Sequence, residues 1–277
     1  MKFIRYVPKA YLSYAIGKLA NMPVPWPLNA ISIGLFAKAY GIDPTTATRP
    51  FAQFSSVGHF FTRDLKPELR PIGEGFVSPV DGRLRSIEVI PSDGYLTQTK
   101  GRRYSAAQLL GDEGLAKKFS GGMCFNFYLS PTDAHHIFAP CAGHVVRTKH
   151  IPGKLWPVNN WAFSTIDSLF AVNERVITVI ESGDELIAVV MVGATNVGRI
   201  EVKYVDITTN TAPWRATPPQ TIEHSRPLPI SKGEKIGTFH MGSSVLVLTQ
   251  RERPLVKSFL PDEAVQYGQS MMVGVTC

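Results

Sequence analysis

Long apolar runs are missing from this chain. No window reaches the roughly 18 to 20 apolar residues that a spanning helix needs. The N-terminal stretch MKFIRYVPKAYLSYAIGKLANMPVPWP starts basic, like a signal peptide, but Pro8, Lys9, Lys18 and Asn21 interrupt any apolar core. Cysteine is scarce too: Cys124, Cys141 and Cys277 are odd in number, widely spaced and without a CxxC pair, so a reducing compartment is the simplest reading. Several chemistry-bearing patterns are also absent. The glycines of VGATNVG form neither GxGxxG nor a Walker A loop, there is no HExxH, and no GxSxG elbow surrounds any serine. Dense Lys/Arg tracts and nucleic-acid-binding signatures are lacking as well.

What remains describes a folded protein rich in turns. The 277 residues are 44% hydrophobic and 18% charged, with 23 glycines and 21 prolines, which favours strands and loops over helix. The formal net charge of +7 suits a polyanionic partner. Without a nucleic-acid signature, an anionic membrane surface is the better match and no nucleic-acid partner is expected.

The chain changes character along its length. Leu12, Ile16 and Leu19 fall on one helical face with Tyr11 and Tyr14 nearby and Lys18 pointing away, and a second apolar stretch, Ile31 to Tyr40, follows the VPWP turn. This pattern fits a helix pair in a membrane interface, with Trp26 and the tyrosines at headgroup depth, and equally a pair packed on the protein's own core. From Ile42 to Arg70 the sequence is polar and turn-rich around one helix, with FFTRDLKPELRPI as a linker. From Gly75 onward, short runs such as CFNFYL, RVITVIE and LIAVVMV argue strands, with one helix expected over Ala106 to Phe119. The expected fold class is α+β, predominantly β, with an N-terminal helical region over residues 1–70 and a β-rich domain over 71–277.

Four places could carry chemistry. Asp133, His135 and His136 stand together in LSPTDAHHIFAP; a carboxylate beside imidazoles suits acid/base work or a metal. Adjacent histidines point in different directions on extended backbone, so no metal site is expected. Asp81, in SPVDGRL, reads on its own as a turn residue. Glu174 and Arg175, in LFAVNERVI, suit an ion pair at a strand start. Finally, Gly242 and Ser243 interrupt the strand-like run TFHMGSSVLVLTQ. A glycine carbonyl is the least hindered target for the next hydroxyl, so a strained Gly-Ser bond can rearrange from amide to ester, a route to self-cleavage.

Taken in order, FFTRDLKPELRPI, SPVDGRL, KGRRYSAAQLLG, FNFYLSPTDAHHIFAP, IPGKLWPVN, LFAVNERV, VGATNVGRIE and GEKIGTFHMGSS make the sequence resemble the phosphatidylserine decarboxylases, which are pyruvoyl-dependent and made as proenzymes. The resemblance runs over roughly residues 50–250. It implies self-cleavage between Gly242 and Ser243, giving a β chain of residues 1–242 and an α chain of residues 243–277, with Ser243 converted to a covalent pyruvoyl cofactor. The implied reaction turns phosphatidylserine into phosphatidylethanolamine through a Schiff base, with the pyruvoyl group as electron sink. It also implies a serine-protease-like Asp-His-Ser arrangement for the cut, with Asp81 and Ser243 as two members.

The third member departs from the family pattern. Where relatives read Asp-Tyr-His-x-x-His-x-Pro, this chain reads Asp133-Ala134-His135-His136-Ile137-Phe138-Ala139-Pro140, so Phe138 stands where the triad base is usual. His135 or His136 is then the expected replacement, with His240 a weaker candidate; in the family, the histidine matching His135 is also a candidate for substrate binding or for protonating the carbanion. The alternatives are slow, strain-driven maturation, a lipid-binding relative that never matures, or a decarboxylase of another serine-headed lipid. A bilayer substrate implies a peripheral protein on the cytoplasmic face of the cell membrane, with Tyr11, Trp26 and Phe36 as expected contacts. A homodimer is carried as a common expectation for such folds.

Overall fold

The structure, a computed structural model, describes residues 9–99, 101–195, 199–212, 214, 217–240 and 243–274, the side chain of Ser243 excepted. The chain opens with α1 (Lys9–Ala20), α2 (Leu28–Tyr40) and the short α3 (Val57–Phe61). Gly41 stops α2 in the left-handed region at φ 67°, where a residue without Cβ is unstrained. The inner face of α2, Ile33 and Ala37, packs with Ile42, Ala47, Phe54 and Phe60 into a small core of its own. Phe36 also turns inward, against Phe60 and Phe61, so it is a packing residue rather than the exposed contact expected of it.

Strands dominate the rest: β1 (Phe76–Val77), β2 (Gly82–Val89), β3 (Tyr95–Thr99) and β4 (Arg102–Ser105) precede the helices α4 (Ala106–Leu110) and α5 (Glu113–Lys118). A single helix was the expectation here. Gly111 instead ends α4 at φ 60° and the Asp112 carboxylate accepts the Leu115 N–H at 2.8 Å, so a stop and a new N-cap stand back to back. Then come β5 (Met123–Leu129), β6 (His136–Phe138), β7 (Gly143–Ile151), α6 (Asn160–Thr165), α7 (Leu169–Val172), β8 (Arg175–Ser182) and β9 (Glu185–Val192). The last group is β10 (Ile200–Val202), β11 (Gln220–Ile230), β12 (Lys235–Phe239), β13 (Ser243–Thr249), β14 (Glu263–Val265) and β15 (Ser270–Met272).

Eight strands form an antiparallel sheet in the order β11-β7-β8-β9-β13-β5-β2-β14, and β10-β12-β6 form a smaller one. The central strands are apolar on both faces because both faces are covered. Val245 and Val247 of β13 point to one core, with Ile137, Ile200, Ile236 and Phe239 of the small sheet; Leu246 and Leu248 point to the other, with residues of α4 to α7. Full burial of each such side chain contributes about 2 kcal/mol. The edge strand β11 tolerates Pro227 and Pro229, which would each delete a ladder bond in the sheet centre.

The strand-like run around Gly242 and Ser243 resolves into two strands in two sheets. β12 lies in the small sheet and β13 in the centre of the large one, so the chain changes sheets between Phe239 and Ser243. Gly242 itself lies outside the described residues.

Candidate active site

Strand register gathers the singled-out residues at one end of the large sheet. Ser243 pairs with Leu129, Ser244 with Val192, Val192 with Arg175, and Arg83 with Tyr128. The start of β13 therefore lies beside the start of β2, where Asp81 is, and beside the end of β5, where the histidine segment begins. Gly82 permits the approach of β2: a Cβ there would meet the Tyr128 carbonyl oxygen at 2.5 Å.

A second register brings the histidines to the same gap. The Phe239 N–H donates to the His135 carbonyl at 2.9 Å, and β6 pairs with β12 from Thr238 opposite His136. The segment Leu129–His135 and the crossover Phe239–Ser243 thus connect the same two sheets and are pinned to each other at both ends. Asp133 shapes the turn, accepting the Ser130 N–H at 2.7 Å and the Ser130 hydroxyl at 2.9 Å. Burial pushes its carboxyl above the ordinary range, with the Asp81 charge adding to the effect.

The two histidines have different surroundings, as alternation predicts. His135 is fully buried against Phe61, ring centroids 4.0 Å apart. Its Nδ1 lies 2.9 Å from the Asp133 carbonyl oxygen and donates to it, which leaves Nε2 as a lone-pair acceptor. Nε2 is buried and has no hydrogen-bond partner. Burial, helped by the charge of Arg63 and opposed by the bond to Asp133, lowers the pKa of His135 to about 3, so the ring is neutral at pH 7. His136 is held differently: Nδ1 is 3.0 Å from the Thr238 hydroxyl, and Nε2 makes no hydrogen bond but lies within ion-pair distance, 3.2 Å, of an Asp64 oxygen. Asp64 also receives Lys235 at 2.6 Å, and His136 first, then Lys235, hold its carboxyl well below the usual range despite partial burial.

Asp81 is buried, and its partners are not histidines. Arg70 donates to it from Nε at 2.9 Å and from Nη2 at 2.7 Å, and the Tyr267 N–H donates at 2.9 Å. Phe138 stacks on the Tyr267 ring, centroids 3.9 Å apart and planes 16° from parallel. The corner where the resemblance implies an Asp-His contact is therefore closed by an arginine and an aromatic pair. Close by, Arg63 is 3% exposed; its Nη2 donates to the Thr132 carbonyl at 2.7 Å while Nε and Nη1 have no hydrogen-bond partner.

Arg63, Asp64 and Arg70 fall in the stretch read as a linker, and the reading of residues passed over them. Arg63 and Asp64, flanked by FF and LKP, offered a signal, since a run destined for solvent has no need of neighbouring aromatics. The expected Glu174–Arg175 ion pair is not formed. Glu174 contacts His150 at 2.8 Å and accepts from Asn210, while Arg175 donates to the carbonyls of Leu109, Gln108 and Asn173, because adjacent residues on extended backbone face opposite ways. His240 contacts Glu201 at 3.0 Å rather than any member of the His135 cluster.

The sequence profile described as phosphatidylserine decarboxylase matches residues 57–276. The chain belongs to the phosphatidylserine decarboxylase family. It is 40% identical over 269 residues to the phosphatidylserine decarboxylase proenzyme of Myxococcus xanthus, covering 96% of this chain and 94% of that one. The corresponding proenzyme of an Anaeromyxobacter species is 41% identical, covering 88% and 87% of the two chains, and that of Brevibacillus brevis is 36% identical, covering 89% and 87%. The matched residues run from the first residue of α3 past the end of β15 and include every residue of the site just described.

Proposed function

We propose that this chain is a proenzyme that cuts itself between Gly242 and Ser243 and then decarboxylates phosphatidylserine to phosphatidylethanolamine. The observation that carries the reading is the double pinning of the Phe239–Ser243 crossover against the segment that bears His135. That arrangement ties the backbone on either side of the expected cut to the two ends of the segment that carries a buried, neutral imidazole with a spare lone pair.

In the cut, the Ser243 hydroxyl loses its proton to His135 Nε2 and attacks the Gly242 carbonyl carbon, and the amide becomes an ester as the proton passes to the departing nitrogen. Loss of the Ser243 Cα proton then breaks the ester C–O bond, leaving Gly242 as a carboxylate and residue 243 as dehydroalanine. Addition of water and release of ammonia leave a pyruvoyl group at the new terminus. Its carbonyl supplies the electron sink that an amino-acid headgroup needs in order to lose carbon dioxide. Arg63 holds the segment through Thr132, and its two spare donors would serve an oxyanion formed at the cut. Asp81 acts through Arg70 and the Tyr267 loop, positioning the corner rather than steering a histidine. His136 ties the small sheet to Asp64.

The membrane part of the proposal rests on the outer faces of α1 and α2. Trp26 is 72% exposed, Leu19 69% and Leu35 64%, with Met22, Leu28 and Ile31 also more than half exposed. So large an unpartnered apolar surface marks an interaction site, and a lipid substrate together with the protein's net charge of +7 fits an anionic bilayer. No helix among the described residues is long and apolar enough to cross a membrane, so the surface would lie in the interface as a peripheral contact.

A denaturing gel with intact mass tests the core of this reading. Two chains with a pyruvoyl terminus on the smaller one are expected; a single full-length species with an unmodified serine would sink it. For docking, flotation with vesicles containing phosphatidylserine should recover the wild-type protein, and Leu19→Ser, Trp26→Ser and Leu35→Ser together should leave it unbound. Equal recovery of both removes the membrane claim.

A further inference from the structure

Between α1 and the segment leading into β10 lies a cleft of about 800 Å³, within the usual range of small-molecule sites, roughly 300–1000 Å³. Tyr14, Leu19 and Met22 give it an apolar side that continues onto the exposed face of α1, and Lys18, Arg199 and His240 give it a polar side. Arg199 and His240 are locked together, since the His240 N–H donates to the Arg199 carbonyl at 3.0 Å. His240 is three positions before Ser243.

The charges in this cleft are not balanced from within. Glu201, the acidic neighbour, is taken by His240 at 3.0 Å. Neither Lys18 nor Arg199 has a carboxylate partner among the described residues; Lys18 lies over the Tyr14 ring, 5.6 Å from its centroid. Two exposed cations at the polar end of a cleft with an apolar opening complement an anionic headgroup attached to acyl chains.

We infer that this cleft holds one glycerophospholipid molecule, with Arg199 and Lys18 on its phosphodiester and its acyl chains leaving along Tyr14, Leu19 and Met22. The inference rests on the decarboxylase reading and adds to it the residues that select a phospholipid over a free amino acid. Held at the phosphate by residue 199, the serine head extends toward the start of β13. Arg199 and Lys18 are binding residues, and the chemistry at residue 243 is separate from them.

The test measures binding apart from turnover. Full-length protein carrying Ser243→Ala, which has no hydroxyl to cut with, is titrated calorimetrically with monomeric dihexanoyl phosphatidylserine, and again with Lys18→Ala, Arg199→Ala and both added. Each loss of a charge-assisted contact should weaken binding about tenfold, and the pair more. Both positions are exposed, so a thermal melt matching the parent is expected. Unchanged affinity in the double variant overturns the inference, as does inorganic phosphate displacing the lipid at equal concentration, which would make the site a plain anion site. In the processing-competent chain the same substitutions should raise KM for the lipid and leave both self-cleavage and kcat unchanged. If they weaken lipid binding while the unmutated chain yields no ethanolamine lipid, the cleft stands and the decarboxylase reading falls.

Discussion

The Asp81 corner and the His135 pocket lie at the same end of one sheet, yet they are finished differently. Around Asp81 every strong hydrogen-bonding direction is met, by a two-pronged arginine, a backbone N–H and a stacked aromatic pair that seals the edge. Around His135, one imidazole nitrogen and two guanidinium nitrogens are buried with no hydrogen-bond partner. Buried polar groups left open are costly and rare, and their grouping supports the proposal that a reacting group binds here. The satisfied corner is architecture, and the unsatisfied pocket is where chemistry has capacity.

The sharpest way to break this comparison is at the histidines. Replacing His135 with Gln should slow self-cleavage by about 10² to 10⁴-fold, read as the time course of chain separation on a denaturing gel, whereas His136→Gln should slow it by less than tenfold. A reversed ranking would move the base to His136. Next in size, Asp81→Asn leaves the Arg70 guanidinium without its carboxylate and should cost about 3 kcal/mol. Urea unfolding of the uncut Ser243→Ala protein measures it as one covalent species. Recovery of stability on adding Arg70→Gln would identify the loss as an abandoned charge.

A pH series separates the two regions without mutation. His135, with its pKa near 3, stays neutral through the range where an ordinary imidazole, titrating near 6.5, would gain a proton. The rate of self-cleavage should therefore vary by less than about threefold between pH 5 and 8, where a base of ordinary pKa would lose about tenfold per unit below 6.5. Stability should move over the same range. The unfolded chain binds a proton at this residue below about pH 6.5 that the folded chain refuses until about pH 3, so stability falls as pH drops through that window. The smallest effect is expected at Phe138→Leu, which removes the stack on Tyr267. It should lower stability by about 1 kcal/mol and leave the cut at its normal rate.

Much of this was legible in the residues, for identifiable reasons. The central strands announce themselves because double-sided burial leaves no polar residue between Leu186 and Val192. β11 was hidden by its two prolines and by the polar residues of an edge. The break at Gly242-Ser243 was visible as an interruption, but its meaning as a change of sheet was not, because pairing partners distant in the sequence, on β5 and β6, define it. In the site, His135 and His136 were legible as a pair, while their division of labour depends on Phe61, Thr238 and Asp64, which alternation alone cannot name. Phe138 signalled a missing base; that Arg70 would take the vacated carboxylate required the fold.

The placement of β13 has one more consequence. It lies hydrogen-bonded between β9 and β5, and the residues after it add β14 beside β2 and β15 beside β1. Once the backbone is cut ahead of residue 243, the small fragment has no covalent tie but remains woven into the interior, so it can leave only when the large sheet comes apart. Before the cut, refolding is a one-body search; afterwards two pieces must find each other again. Heat or denaturant that merely perturbs the uncut chain would then inactivate the cut one for good at low concentration. Processing would thus turn a protein protected by reversibility into one protected by the height of its unfolding barrier.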